Sequence, residues 1–261
     1  MNFGIIGYGN IGSLISDNLI DIGFLDKNRL NISIRTLSKR ENLDSRINVY
    51  ENNIDLVKDS DIIFISVKSP DLIKVIGEIA PFLDEDSYLI HSSAGISFYD
   101  IENVYDGEIS CVIPSISSEA NPNKQKTGIS VFYHNTNVSK ENQEKIEELF
   151  SKFSNVITTD NYDDLEALTI TTSCMPAFIA FATEVFAREL SNSTNLDYED
   201  VYSYLNETNF STANLLNLKL FNSDDLVNKV ATKNGITQKG LDYLNEELPL
   251  IFNNLIKRLC D

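Results

Sequence analysis

The sequence predicts an α/β chain: a doubly wound parallel sheet of the Rossmann type, followed by an all-α domain. Three observations predict it. An apolar run, Phe3-Gly4-Ile5-Ile6, leads directly into Gly7-Tyr8-Gly9-Asn10-Ile11-Gly12. Strand-like and helix-like segments then alternate to about residue 158, the order of a parallel sheet with helices on both faces. Past residue 159 strand signals nearly vanish and helical patterns take over. Residues 1–158 and 159–261 therefore read as two domains.

Each element has its own signal. Ile11, Leu14, Ile15 and Leu19 recur at helical spacing after the glycines. Residues 30–36 read as a second strand, and 61–67 (Asp-Ile-Ile-Phe-Ile-Ser-Val) as a buried parallel one. Segments 87–92 and 109–113 are further strands, with helices over 54–58, 70–79 and 139–153. The second half predicts helices over 163–191, 197–219, 223–231 and 237–260. Pro176 should kink or break the first of these. Phe178, Ile179, Phe181, Val185 and Phe186 read as a face for a second copy of the chain, giving a dimer or a multiple of dimers. An internal core is the other reading.

Composition narrows the function. The 261 residues are 42% hydrophobic and 23% charged, with a formal net charge of -18. Such acidity argues against nucleic acid and against anionic membrane surfaces as partners. An anionic ligand would have to rely on local basic groups. No uninterrupted stretch reaches ~18 apolar residues, so no membrane-spanning helix is expected. The first strand begins at residue 3, so no secretory leader is expected either. Cys111, Cys174 and Cys260 are odd in number and far apart. They read as reduced thiols in a cytoplasmic protein, not as metal ligands. His91 and His134 are too few for a metal centre, and His91, ending an apolar strand, reads as structural rather than catalytic.

The glycine triplet has a mechanical reading. Gly7 permits a tight turn, Gly9 lets backbone approach a pyrophosphate, and Gly12 lets helix pack on strand. Backbone N–H groups at the helix start, from Asn10 and Ile11 onward, would meet the phosphates. A tight turn without ligand is the plainer alternative. An NAD-preferring domain ends its second strand with a carboxylate. Here the segment reads Ile34-Arg35-Thr36-Leu37-Ser38-Lys39-Arg40, with none. Arg35, Thr36 and Lys39 suit a 2′-phosphate, which favours NADPH over NADH. A solvated basic loop is the other reading.

Several segments then converge. They are Ile65-Ser66-Val67-Lys68-Ser69-Pro70, Ser92-Ser93-Ala94-Gly95-Ile96-Ser97 and Val112-Ile113-Pro114-Ser115. Glu166-Ala167-Leu168-Thr169, Cys174-Met175-Pro176-Ala177-Phe178 and Glu184 follow, and then Val230-Ala231-Thr232-Lys233-Asn234-Gly235-Ile236-Thr237-Gln238-Lys239-Gly240-Leu241. In this order and spacing the chain resembles the pyrroline-5-carboxylate reductase family over nearly its whole length.

The resemblance implies an NAD(P)H-binding domain, a helical dimerisation domain, and hydride transfer to 1-pyrroline-5-carboxylate, giving proline. It implies cofactor contacts at Gly7, Gly9, Gly12, Asn53, Val67, Lys68, Ala94 and Gly95. It implies a substrate loop at Thr232, Asn234, Gly235, Ile236 and Thr237. Thr237, whose family counterpart lies near the imine nitrogen, and Lys68 are the candidate catalytic residues. For Thr237 a helix-capping role stands beside the site role. The substrate side departs from the family pattern. Lys233 stands for a proline, Asn234 for a glycine, and Ile236 for a threonine or alanine. This loop resembles the divergent late-competence-protein branch of the family. Reduction of another cyclic imine or carbonyl acid, and non-catalytic dinucleotide binding in regulation, therefore stay open beside proline synthesis.

Overall fold

The computed structural model describes residues 1–34, 43–119 and 125–260. The chain divides into two compact units, Met1–Pro176 and Ala177–Asp261. In the first unit the order is β1 (Phe3–Ile6), α1 (Asn10–Asp21), β2 (Leu30–Ser33), β3 (Asn48–Tyr50), α2 (Asn53–Lys58), β4 (Ile62–Ile65) and α3 (Ser69–Ile79). It continues with β5 (Tyr88–His91), α4 (Phe98–Glu102), β6 (Ile109–Pro114), β7 (Ile129–His134), α5 (Lys140–Ser151), β8 (Asn155–Thr158) and α6 (Asp164–Thr169). The eight strands form one sheet in the order β3-β2-β1-β4-β5-β6-β7-β8. Every neighbouring pair is parallel except β6 and β7.

Side-chain alternation divides the core into two layers. Phe3, Ile5, Phe64 and Ile90 face one side, where they pack with Leu14, Ile15 and Leu19 of α1 and Phe150 of α5. Ile6, Ile63, Ile65 and Leu89 face the other, against Leu56 of α2, Leu72 and Ile76 of α3, and Phe98 of α4. Burial on both faces is why these strands read as unbroken apolar runs. Strands β3, β7 and β8 carry no such run: β3 and β8 are short and largely exposed, and in β7 Ser130 and His134 bound a stretch of only three, Val131, Phe132 and Tyr133. They were invisible to that signal. The antiparallel β7 also makes the sheet mixed rather than wholly parallel.

Both histidines have structural surroundings. Ser110 Oγ lies 2.6 Å from His134 Nδ1, and His134 Nε2 lies 3.0 Å from a Glu147 carboxylate oxygen. Tyr88 joins Ser110 at 2.7 Å, and Thr158 donates to the same Glu147 oxygen at 2.6 Å. This chain of bonds crosses β5, β6, β7, α5 and β8. Burial pulls the His134 pKa down, and Glu147 partly restores it. His91 is wholly buried; among the described residues it accepts only a long bond from Ser93 N at 3.4 Å, and its Nε2 has no partner. Burial lowers its pKa from 6.5 to about 4.

The second unit is helical. The helical run that begins with α6 passes through a π-helical turn at Ile170–Cys174 into α7 (Met175–Asn192). Pro176 therefore does not break the run. Proline cannot donate to the carbonyl four residues back, and the wider turn just before it reroutes the ladder. Helices α8 (Tyr198–Asn217), α9 (Ser223–Val230) and α10 (Ile236–Cys260) follow. Asp197 and Asn222 cap α8 and α9, accepting from the backbone N–H of Glu199 and Asp225. Few side chains here are buried: Thr183, Ala187 and Val201 among them. Ile179, Phe181 and Phe186 of α7, Phe210 of α8, and Leu250 and Phe252 of α10 are exposed. An internal core does not absorb them. The run Asp164–Asn192 also meets the length and composition of a membrane span, with 11% of its most apolar window buried. The expectation drawn from uninterrupted runs missed this, because Thr, Ser and Glu residues punctuate an otherwise apolar helix.

His91 sets an acid limit. Its folded pKa lies below the unfolded value, so the unfolded chain binds more protons between pH 6.5 and about 4. Stability is therefore lost as pH falls through that window. Denaturant midpoints measured across it should fall more steeply for the native chain than for His91→Leu; parallel slopes would remove His91 as a cause.

Candidate functional site

The site is built at the carboxyl ends of β1, β2 and β4, where open α/β sheets place ligands. A cleft of about 320 Å³ is lined there by Ile6, Gly7, Tyr8, Gly9, Ser33, Ile34, Asn53, Val67, Lys68 and Asp71. The glycines differ in why they are needed. Gly7 has φ +92, and a Cβ there would strike the Ser66 carbonyl oxygen. A Cβ on Gly12 would strike the carbonyl oxygen of Gly7. A Cβ on Gly9 would meet nothing among the described residues within 4 Å. Two glycines thus let strand, turn and helix touch, and the third leaves open space at the helix start.

That helix start is free to receive an anion. Gly9 occupies the cap position of α1 with no side-chain capping bond, and the first turn holds no acid. Asn10 and Ile11 open the helix there. Asn10, Ile11 and Gly12 belong to the first turn, whose N–H groups have no acceptor four residues back. Asn53 sits at the start of α2, after the capping residue Asn52. It is buried at the cleft wall, and its Oδ1 accepts from Ser33 Oγ at 2.8 Å. Arg35, Thr36 and Lys39 lie outside the described residues.

Two further turns meet beside the cleft. Val67 and Lys68 close β4, and Lys68 is the residue before α3. Ala94 and Gly95 follow β5, with Gly95 at φ +72. Ser93 Oγ donates to the Val67 carbonyl at 3.3 Å, and Ser69 Oγ to the Ala94 carbonyl at 3.2 Å. The two turns are thus laced together. A second cleft of about 710 Å³ opens along residues 94–99, with Tyr162, Asp163, Leu165 and Glu166 on its other wall. Tyr162 donates to the Ile96 carbonyl at 2.7 Å and packs with Phe98 and Tyr133. Burial pushes its hydroxyl pKa up. Sequence reasoning named none of Tyr8, Ser33, Asp71 and Tyr162 as site residues. Asp71, the third residue of α3 and therefore in its first turn, follows the Val67-Lys68 turn closely enough to have been found.

The loop at residues 232–237 belongs to the second unit. Asn234 has φ +63, the left-handed conformation that glycine takes freely and asparagine tolerates. Asparagine is thus the kind of replacement for glycine that this turn accepts. Gly235 N donates to the Thr232 carbonyl at 2.8 Å. The helix starts at Ile236, so Thr237 lies in its first turn and Gly235 takes the cap position. Ile236 is 91% exposed.

A curated pyrroline-5-carboxylate reductase of Methanobrevibacter smithii is 48% identical over 249 residues, covering 94% of this chain and 98% of that protein. The chain belongs to the pyrroline-5-carboxylate reductase family. Within this family, residues 163–261 match the model described as pyrroline-5-carboxylate reductase dimerisation. Residues 2–95 match the model described as NADP oxidoreductase coenzyme F420-dependent. ComE operon protein 4 of Bacillus subtilis is 26% identical, covering 98% of this chain and 93% of that one. A crystal structure of the Plasmodium falciparum pyrroline carboxylate reductase with NADP bound superposes with TM-score 0.86 at 19% identity, covering 100% of this chain and 95% of that one. It shares the reductase fold.

The glycines separate folding from binding. Gly12→Val should lower stability by about 1–3 kcal/mol, because the added carbons meet backbone rather than a movable side chain. Gly9→Val should leave the melting temperature nearly unchanged while abolishing dinucleotide binding, read by fluorescence titration. Loss of folding in both variants would refute this division of labour.

Proposed function

We propose that the chain reduces 1-pyrroline-5-carboxylate to proline with NADPH, residues 1–158 holding the cofactor and 159–261 carrying the helical pairing domain. The observation that carries this reading is the 48% identity to a curated reductase across 94% of the chain. The cleft supports it, since Gly7 and Gly12 let strand, turn and helix close on one another and Gly9 leaves open space at the start of α1. Bound NADPH supplies the hydride. The residues of the chain supply position and charge. The uncapped start of α1 takes the pyrophosphate. Asn53 holds the adenosine side, and Arg35, Thr36 and Lys39 select the 2′-phosphate. The laced turns at Val67-Lys68 and Ala94-Gly95 hold the nicotinamide side. At the start of α10, backbone N–H groups of Asn234, Ile236 and Thr237 bind the substrate carboxylate. The Thr237 hydroxyl stabilises the imine nitrogen and its proton, and Lys233 adds a cation for the anionic substrate.

The exposed apolar residues of α7, α8 and α10 meet a second copy of the chain. The three cysteines are free thiols, which supports a cytoplasmic setting. A second reading, another cyclic imine or carbonyl acid as substrate, is favoured by Ile236 and Lys233 on the substrate loop.

Purified protein should oxidise NADPH in the presence of 1-pyrroline-5-carboxylate and form proline. Turnover on a different imine from a panel would support the second reading, and NADPH binding without turnover would make the chain a dinucleotide-binding regulator. Thr237→Ala should cost about 2–4 kcal/mol of transition-state stabilisation, by analogy with oxyanion-hole donors; an unchanged rate would end its assigned role. Phe181 is 67% exposed, and Phe181→Glu should split the oligomer in sedimentation or light scattering while the helices persist.

A further inference from the structure

We infer that Ser33 is a positioning residue for the cofactor, acting through Asn53. Its hydroxyl takes up the Asn53 carbonyl oxygen, so the amide turns its N–H donors to the cleft and meets an acceptor on the adenosine side of the ligand. The inference rests on the dinucleotide reading of the cleft. Ser33 ends β2 and Asn53 opens α2, and both line the cleft. They are 7% and 8% exposed, and Ser33 Oγ donates to Asn53 Oδ1 at 2.8 Å. The backbone of Ser33 is fixed by its neighbours. It pairs with Ile6 of β1 and Tyr50 of β3, and its carbonyl accepts a long bond from Gly7 N at 3.4 Å. The amide is thereby held in the same frame as the glycine turn.

An amide can offer Ser33 either its oxygen or its N–H. Two considerations fix its sense. Ser33 Oγ has no other partner among the described residues, so with the amide reversed its buried proton would lack an acceptor. A reversed amide would also set a carbonyl oxygen against a polyanionic ligand. With the oxygen held by Ser33, Nδ2 meets no acceptor among the described residues. Its two N–H groups are left for the ligand that fills the cleft. The competing explanation is a bond that only ties β2 to α2.

Binding separates the two. Titration of cofactor fluorescence would give the NADPH affinity of the native chain, Ser33→Ala, Asn53→Ala and the double variant, with melting temperatures of the free proteins as the control on folding. Ser33→Ala should weaken NADPH by about three- to tenfold, the scale of one hydrogen bond. Asn53→Ala should lose at least as much, and the double variant no more than Asn53→Ala alone. In turnover the Ser33→Ala loss should fall on the KM for NADPH and leave kcat unchanged. Asn53→Asp still accepts from Ser33 but has no N–H, and should bind NADPH at least about tenfold more weakly than the native chain. Four results would each overturn the inference and leave the cofactor reading intact: a Ser33→Ala variant that melts lower but binds NADPH as tightly, losses that multiply in the double variant, a Ser33→Ala loss that falls on kcat, or native affinity in Asn53→Asp. Failure of the native chain to bind NADPH would overturn the cofactor reading and this inference with it.

Discussion

The close approach of three backbone segments at the end of β1 is the constraint on which the site depends. Gly7 turns with a positive φ directly against the Ser66 carbonyl, and Gly12 rests on the Gly7 carbonyl. Neither contact leaves room for a side chain. Because they close, α1 begins directly over the strand and its unpaired N–H groups border the cleft. Because β4 is drawn in by the same packing, its terminal turn reaches the cleft as well. Asn53 and Ser33 then complete the far wall through their own hydrogen bond.

Electrostatics sharpens the role of that geometry. A chain this acidic repels an anionic cofactor at long range, an effect that salt screens within about 10 Å. Affinity must come from short-range groups, and the oriented N–H dipoles at the start of α1 are of that kind. The cap position of α1 carries no side-chain bond and its first turn no acid, so the dipole is not already neutralised. By contrast, α8 and α9 begin with two acids each and are capped by Asp197 and Asn222. Those helix starts are already satisfied by the chain itself.

Much of this was legible from sequence, for identifiable reasons. The central strands are covered on both faces, so β1, β4, β5 and β6 stand out as apolar runs. The glycine spacing marked the turn. Strands β3, β7 and β8 were not legible, since neither a run nor a clean alternation of useful length marks them. The Ser110–His134–Glu147 bonds were hidden because residues far apart in sequence meet only across the sheet. Asp71 was passed over because an acid near a helix start has a local explanation that asks for no ligand. Asn234 showed as a departure from the family's glycine, and only its φ of +63 shows why the turn can keep it.

The rims of the sheet bear on how copies of this chain can meet. The outermost strands span three and four residues, with Asn48 and Val49 exposed on one and Asn155, Ile157 and Thr158 on the other. So short a ladder offers an incoming strand few backbone groups to grip, which guards against sheet-to-sheet stacking and fibre growth. Self-association is thereby channelled away from the nucleotide half. It falls to the greasy helical surfaces, where the geometry of contact is set by side-chain shape rather than by open-ended backbone pairing.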